Sequence, residues 1–150
     1  MKIIKESHLD HGLSSAHIDF IMKHWALNKS IFAGQDVTPI EVELPAELEN
    51  LSCGLVGPST GFPAVPDEDA TYIVRNGRKW ASRMTAQQAH ATRTLTYIVG
   101  QYNGEEVLFT AYGGPCAPRE PGDTSLSTME EITHSRKFWA QHALSIYFTV

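Results

Sequence analysis

The spacing of apolar residues predicts one helix near each end of the chain. After Ser14 and Ser15, either of which can cap a helix, four apolar residues recur at the interval of one helical face: Ile18, Ile21, Met22 and Trp25. Ser127 and Glu130 have the spacing of a capping box, so a second helix is predicted to begin there. Apolar residues recur at helical spacing through this second segment: Met129, Ile132, Trp139 and Ala143. Each helix can therefore pack one face against a sheet.

Alternation of apolar and polar residues predicts strands between the helices and at the end of the chain. Residues 40–44 ("IEVEL") alternate strictly, as in a half-exposed strand. Residues 71–83 contain Asn-Gly between two apolar runs, which is a strong hairpin signal because both turn residues accept positive φ. A second hairpin joins "RTLTYIVGQ" to "EVLFTAYGG" through "YNGE", and "LSIYFTV" is the predicted last strand. We therefore expect an α+β fold, with an antiparallel sheet of about five strands, two main helices packed on it, and residues 1–150 as a single domain.

Two segments rich in glycine and proline interrupt these elements. Residues 53–69 are long enough to form a functional loop such as a lid. Residues 110–123 ("TAYGGPCAPREPGD") connect the predicted strand to the second helix, and three prolines stiffen that connection. We interpret this connector as a scaffold that fixes Tyr112 and Arg119 at the rim of a cleft.

Composition limits the class of protein. The chain has 150 residues, 42% of them apolar, and a net charge of -5, which fits one folded domain better than a disordered chain. No apolar run approaches the roughly 20 residues that a transmembrane helix needs. We expect a soluble, cytoplasmic protein without membrane contact. Cys53 and Cys116 are expected to be free thiols, since one disulfide is a poor framework for a domain of this size.

The charges are distributed unevenly along the chain. Residues 1–69 hold four Lys or Arg against eleven Asp or Glu, whereas residues 70–150 hold eight against six. Residues 70–104 contain five basic residues and no acidic one. This segment can attract an anion although the whole chain is acidic. The alternative is a strand face whose charges are simply solvated.

The first predicted hairpin is the best candidate for a ligand site. On a regular strand Arg78, Trp80 and Ser82 point to one side, which would combine a guanidinium, an aromatic ring and a hydroxyl. Such a face can stack a base and hold a phosphate. The predicted ligand is a nucleotide or RNA, bound by five residues: Arg75, Trp80, Arg83, Arg93 and Arg119. The alternative is a strand whose tryptophan belongs to the core.

His17 and His24 are the candidate acid and base. They are seven residues apart and so share one helical face, and histidine can transfer protons near neutral pH. If the protein is an enzyme, metal-independent phosphodiester cleavage is the expected reaction, with one histidine as base, Arg78 stabilising charge and Tyr112 completing the catalytic set. The alternative is that both histidines are ordinary semi-exposed surface residues.

Other chemistry has weaker support. Cys116 beside Arg119 could form a nucleophile with a histidine, although the proline-rich residues that follow separate it from a helix N-terminus. The run "HLDHG" at residues 8–12 lacks the first histidine of the metallo-β-lactamase-type motif, and no phosphate-binding glycine motif occurs. We therefore predict no metal and no cofactor.

Residues 40–144 resemble a group of small bacterial proteins with no assigned activity. The resemblance is carried by "YIVRNGR", "RTLTYIVG", "TAYGGPCAPREPGD" and "FWAQHAL", in that order. It implies a shared fold and no mechanism. The order of elements is also similar to that of compact ribonucleases and RelE-like toxins, which pair an N-terminal helix with an antiparallel sheet bearing Arg, Ser, Thr or Tyr. A likeness of fold alone does not establish function.

A second hypothesis is that the protein is a non-enzymatic protein-interaction module. The glycine- and proline-rich segments 53–69 and 113–123 could present a surface to a protein partner without any catalysis. Binding of phosphate weakens steeply with ionic strength and burial of an apolar patch does not, so salt dependence separates the two hypotheses.

Overall fold

The structure, a computed structural model, has an α+β architecture. It describes residues 1–3, 12–32, 35–55, 71–75, 77–83, 89–143 and 145–146. These residues form two α-helices, a four-stranded sheet, a two-stranded sheet and a three-stranded sheet. The chain divides into two compact units, Met1–Cys53 with Ala91–Cys116, and Gly54–His90 with Ala117–Val150. In the described part of the chain, no helix is both long and apolar enough to cross a membrane.

The first unit begins with a short strand and the first helix. Strand β1 is Lys2–Ile3, helix α1 is Ser15–Asn28, and a 3-10 helix continues α1 over Lys29–Phe32. Ser14 is the N-cap, as one of the two predicted alternatives had it, and its side chain accepts a hydrogen bond from the His17 amide. The His17 side chain in turn accepts from the Ser14 amide, so a histidine completes a reciprocal capping box.

Four strands form the main sheet of this unit. Strands β2 (Val37–Glu43), β7 (Thr94–Tyr102) and β8 (Glu105–Gly113) pair antiparallel, whereas β1 runs parallel to β8. Their order across the sheet is β1-β8-β7-β2. The β7–β8 turn has positive φ at Asn103 and Gly104, as the Asn-Gly signal predicts. Pro39 is tolerated in β2 because β2 lies at the edge of the sheet.

The register of the sheet assigns its residues to two faces. Ile40, Tyr97 and Ala111 lie side by side across β2, β7 and β8, and they belong to the same buried cluster as Ile21 and Trp25 of α1. The adjacent row, shifted by one residue on every strand, is Glu41, Thr96 and Tyr112. Because side chains alternate along a strand, this second row lies on the sheet face opposite α1. Strand β3 (Leu51–Cys53) pairs with β6 (His90–Thr92) in the two-stranded sheet.

The second unit contains a three-stranded sheet and the second helix. Strands β4 (Thr71–Arg75) and β5 (Arg78–Arg83) form the predicted hairpin, and β9 (Ser145–Ile146) pairs antiparallel with β5. Helix α2 spans Met129–His142. Its N-cap is Thr128, whose hydroxyl accepts from the Glu131 amide at 3.1 Å, so the prediction of Ser127 as cap is wrong by one residue.

The predicted fold class is confirmed at the level of α+β with two main helices. The prediction of a single antiparallel sheet of about five strands is too simple, because the described strands form three sheets and the four-stranded one is mixed. Helix α1 packs on the four-stranded sheet, and α2 belongs to the other compact unit. That residues 1–150 act as a single domain stays a prediction.

Candidate functional site

Three of the basic residues predicted to bind or act on a ligand lie on the β4–β5 hairpin, and the pairing of its strands gives their positions in the backbone. Arg75 pairs directly with Arg78 next to the turn, and Arg83 pairs with Thr71 at the other end. The register shifts between Ile73 and Val74, whose partners are Ala81 and Lys79, and this shift interrupts the regular alternation that the predicted Arg78 and Trp80 face assumed. Side-chain positions of these four predicted residues, Arg75, Arg78, Trp80 and Arg83, lie outside what the structure describes.

Arg93, the fifth basic residue of this stretch, lies in the first unit and fastens a loop. Its Nη1 donates to the Leu48 carbonyl at 2.6 Å and to Asn50 Oδ1 at 3.0 Å. Its Nη2 donates to the carbonyls of Leu44, at 3.2 Å, and Pro45. Four acceptors thus engage one half-buried guanidinium, so Arg93 has a structural role in this unit. Its predicted contact with a phosphate stays a prediction.

Arg119 belongs to a loop that is fastened to α2. Its guanidinium donates to Ser125 Oγ and lies 3.8 Å from Asp123 Oδ2, and 64% of the side chain is exposed. The Arg119 carbonyl accepts from Ser135 Oγ at 2.5 Å, and Trp139 Nε1 donates to the Pro118 carbonyl at 3.2 Å. These bonds fasten the connector to α2, and its predicted role as a scaffold at the rim of a cleft stays a prediction.

His17 is buried and engages both ring nitrogens. Only 2% of the residue is exposed. Its Nε2 lies 2.8 Å from the Glu49 carbonyl, which can only accept, and its Nδ1 lies 3.0 Å from the Ser14 amide, which can only donate. These partners fix the neutral tautomer with the proton on Nε2. His17 therefore fastens the start of α1 to the loop before β3.

His24 forms a close pair with the most buried tyrosine of the core. His24 Nδ1 lies 2.6 Å from Tyr97 Oη, and the rings meet edge to face. Burial raises the pKa of Tyr97 to about 12, so the phenol keeps its proton at neutral pH. Burial also lowers the pKa of His24. Both partners are therefore neutral near pH 7, and Nδ1 of His24 is engaged by Tyr97.

Tyr112 and Cys116 meet on the sheet face opposite α1. The Cys116 amide donates to Glu41 Oε1 at 2.8 Å, and the Tyr112 side chain is hydrogen-bonded to the Cys116 thiol. Burial and the charge of Glu41 raise the pKa of Cys116, and the bond from Tyr112 opposes them only in part. The thiol is therefore protonated at neutral pH, which disfavours a nucleophilic role.

The predicted catalytic and binding residues fall in different parts of the chain. His17, His24, Tyr112 and Arg93 belong to the first unit, whereas Arg119 and the residues of the β4–β5 hairpin belong to the second. Among the first group, the structure brings Tyr112 to Cys116 and leaves both histidines on α1. The site was predicted as one constellation, and its assembly stays a prediction.

The sequence did not predict the hydrogen-bonding roles of two residues, Glu41 and Tyr97. Glu41 is a polar position of the predicted half-exposed strand, and it receives a hydrogen bond from the Cys116 amide, 75 residues away. Tyr97 was treated as a strand residue only, and its partner His24 is 73 residues away. Alternation in the sequence predicts the face on which each residue lies, but it carries no signal for a partner so distant.

The described residues contain no cluster of side chains that could bind a metal ion. No group of three or more His, Cys, Asp or Glu side chains there is arranged to hold an ion. Residues 8–11, the first four of "HLDHG", are not among the residues that the structure describes.

Comparisons with family models, with curated proteins and with solved structures give no match for this chain.

Proposed function

We propose that the protein binds an anionic ligand, an RNA strand or a nucleotide, through the β4–β5 hairpin. The observation that carries the proposal is the backbone pairing of Arg75 with Arg78. Like charges directly opposite each other in a hairpin destabilise it. A phosphate bound there would relieve that repulsion, because one anion can neutralise both guanidiniums.

The length of the hairpin supports a strand-like ligand. Arg83 follows Arg78 by five residues on β5, which at roughly 3.3 Å per residue separates them by about 16 Å. Lys79 and Trp80 lie between them in the sequence. Charges spaced along a strand with an aromatic residue between them are typical of surfaces that hold a backbone and stack bases.

We propose binding without cleavage as the main function. Metal-independent phosphodiester cleavage would need a base, and both candidates are engaged. His17 has a partner at each nitrogen, and His24 could accept a proton at Nδ1 only by giving up the Tyr97 hydrogen bond. A general base needs a free lone pair within reach of the proton that it removes.

Fluorescence anisotropy with a labelled single-stranded RNA tests the proposal. We expect binding at 50 mM salt that weakens at 200 mM, and a salt slope smaller by about 0.7 for each phosphate contact removed in Arg75→Ala/Arg78→Ala. Lys23→Ala/Lys137→Ala removes the same charge from exposed helix positions and is the matched control. Equal losses in the two double variants, or no binding at 50 mM salt, would refute a role for the hairpin.

The same samples test cleavage. Incubation of the RNA with the protein and a chelator, followed by a denaturing gel, is expected to leave the RNA intact. Cleavage that persists in chelator and disappears in His24→Gln would instead support the ribonuclease version, with His24 as the base.

One observation favours a non-enzymatic protein-interaction module as the second candidate. The connector residues Pro118 and Arg119 are held on α2 by Ser135 and Trp139, and the Arg119 side chain is exposed. A loop ordered in advance loses less conformational entropy when it binds a partner. Binding of this kind, unlike phosphate binding, would depend weakly on salt.

We also propose a cytoplasmic location. Cys53 and Cys116 are both free thiols, and Cys53 is buried. Unpaired cysteines are typical of proteins kept in a reducing compartment.

A further inference from the structure

The first unit contains a cleft at the end of α1, and its lining residues have no role in the function proposed above. Its volume is about 360 Å³, which is at the lower end of the range for sites that hold small molecules. The 3-10 helix contributes Lys29 and Phe32 to the walls, and β7 contributes Val99 and Gly100. The cleft therefore combines an apolar interior with charged residues.

The apolar wall is formed by a stacked aromatic pair. The rings of Trp25 and Phe32 lie nearly parallel, with centroids 6.0 Å apart. The backbone at Gly100 is closely packed as well, because a Cβ atom there would lie 2.5 Å from the Phe109 ring and 2.6 Å from the Asp36 carbonyl. This wall can receive an apolar side chain of a ligand.

Two opposite charges line the same cleft. Lys29 and Glu106 both contribute to it, and among the described residues neither of them forms an ion pair or a hydrogen bond through its side chain. The neighbouring Glu105, in contrast, is paired with Lys2 at 3.2 Å. The cleft thus offers one cationic donor and one anionic acceptor to a ligand.

A third unsatisfied group lies in the wall. Trp25 is 7% exposed, and its Nε1 is buried without a hydrogen-bond partner in the described part of the chain. Buried N–H groups almost always have a partner, so this indole is an exception among the described residues and a sensitive reporter of changes in the wall. Gln35, whose Oε1 accepts from Thr38, adds amide donors to the same cleft.

We propose that this cleft binds a free amino acid with an apolar side chain. The ligand carboxylate pairs with Lys29, its ammonium group pairs with Glu106, and its side chain packs against Trp25 and Phe32. A phosphate ester would be repelled by Glu106, and a neutral nucleoside would leave both charges unpaired. The site is separate from the hairpin of the proposed function, and different residues test it.

A set of four ligands tests the charge requirement. Calorimetric titration of the full-length protein with L-phenylalanine is compared with N-acetyl-L-phenylalanine, which lacks the ammonium group, and L-phenylalaninamide, which lacks the carboxylate. Adenosine represents a neutral planar ligand. We expect L-phenylalanine to bind best, and each single-charge analogue to bind about tenfold more weakly, since each loses one charge-assisted contact.

Two variants connect each charge to its residue. In Lys29→Met, the preference for L-phenylalanine over its amide should disappear. In Glu106→Gln, the preference over the N-acetyl derivative should disappear. Lys23→Met and Glu130→Gln change exposed residues of α1 and α2 and should keep both preferences. The indole N–H resonance of Trp25, assigned with Trp25→Phe, should shift on binding in the original protein.

The proposal is overturned if adenosine binds more tightly than L-phenylalanine, or if none of the four ligands binds. Equal binding of N-acetyl-L-phenylalanine would assign the cleft to the C-terminus of a peptide instead. A loss of preference in the Lys23→Met control would show that general charge, and not Lys29, determines the selectivity.

Discussion

At the scale of single residues, burial determines what the histidines and the cysteine can do. Burial lowers the pKa of His24 and keeps it neutral near pH 7, and burial together with the charge of Glu41 raises the pKa of Cys116 and keeps it a thiol. His17 is occupied by Ser14 and Glu49. Residues that are reactive in isolation thus serve as hydrogen-bonding parts of the fold.

The His24–Tyr97 pair makes a prediction about pH. Burial places the pKa of His24 in the folded protein below its ordinary value of 6.5, so the unfolded chain binds the proton more readily. The free energy of unfolding should therefore fall as the pH drops below 6.5. Urea unfolding at pH 7.5 and pH 5.5 should show a smaller fall in His24→Gln than in the original protein.

The exposed His134 on α2 provides the control for that experiment. His134→Gln should keep the pH dependence of the original protein. If His24→Gln and His134→Gln lose the same stability between the two pH values, the titration of His24 does not contribute.

Single residues also mark the limit of what the sequence can predict. Ser14 as a helix cap and Asn103-Gly104 as a turn were predictable because their partners are neighbours in the chain. Arg93 was not, since its carbonyl acceptors lie 45 to 49 residues away. The sequence predicts that Arg93 binds a phosphate because residues 70–104 contain five basic residues and no acidic one.

At the scale of elements, the connector between β8 and α2 is held by its contacts with the helix. Ser135, which is fully buried, donates to the Arg119 carbonyl, and Trp139 donates to the Pro118 carbonyl. Prolines remove backbone donors, so a proline-rich segment has few hydrogen bonds of its own with which to hold its shape. Helix α2 supplies them through its side chains.

Removing one of these bonds should loosen the connector. In Ser135→Ala the Arg119 carbonyl loses a partner, and we expect the free energy of unfolding in urea to fall by about 1–2 kcal/mol. Amide hydrogen exchange at residues 119–123 should become faster. Ser127→Ala is the control, because Ser127 is exposed and is not the cap, and it should stay within about 0.5 kcal/mol of the original protein.

The sequence predicts the individual helices and strands better than it predicts how the strands pair. The alternation in "IEVEL" correctly indicates a strand, although β2 begins three residues earlier at Val37. The capping pattern correctly locates the start of α2 to within one residue, and it misses because Thr128 and Glu131 repeat the same spacing as Ser127 and Glu130. The parallel pairing of β1 with β8 joins residues more than 100 positions apart, and no local pattern predicts it.

At the scale of the whole molecule, each compact unit is assembled from two separate stretches of chain. The first combines residues 1–53 with residues 91–116, and the second combines residues 54–90 with residues 117–150. Strand β2 has its partner β7, and β1 its partner β8, in the later stretch. Patterns within a window of a dozen residues cannot predict such a division, since it depends on contacts of long sequence separation.

This division predicts how fragments behave. A fragment of residues 1–53 contains α1 but lacks β7 and β8, and an isolated helix of 14 residues is marginal in water. Its circular dichroism should be that of an unfolded chain. A fragment of residues 1–116 contains both stretches of the first unit and should show helix and sheet. A folded 1–53 fragment would contradict the division.

During protein synthesis, β2 leaves the ribosome well before its partner β7 has been made. Strand β7 begins about 50 residues after β2 ends, which at roughly 5–20 residues per second corresponds to about 3–10 s on the ribosome. During that interval β2 has no neighbour on the side that β7 will occupy. During that time β2 could pair with a strand of another nascent chain. Proline and charged side chains oppose such pairing, and β2 contains Pro39, Glu41 and Glu43.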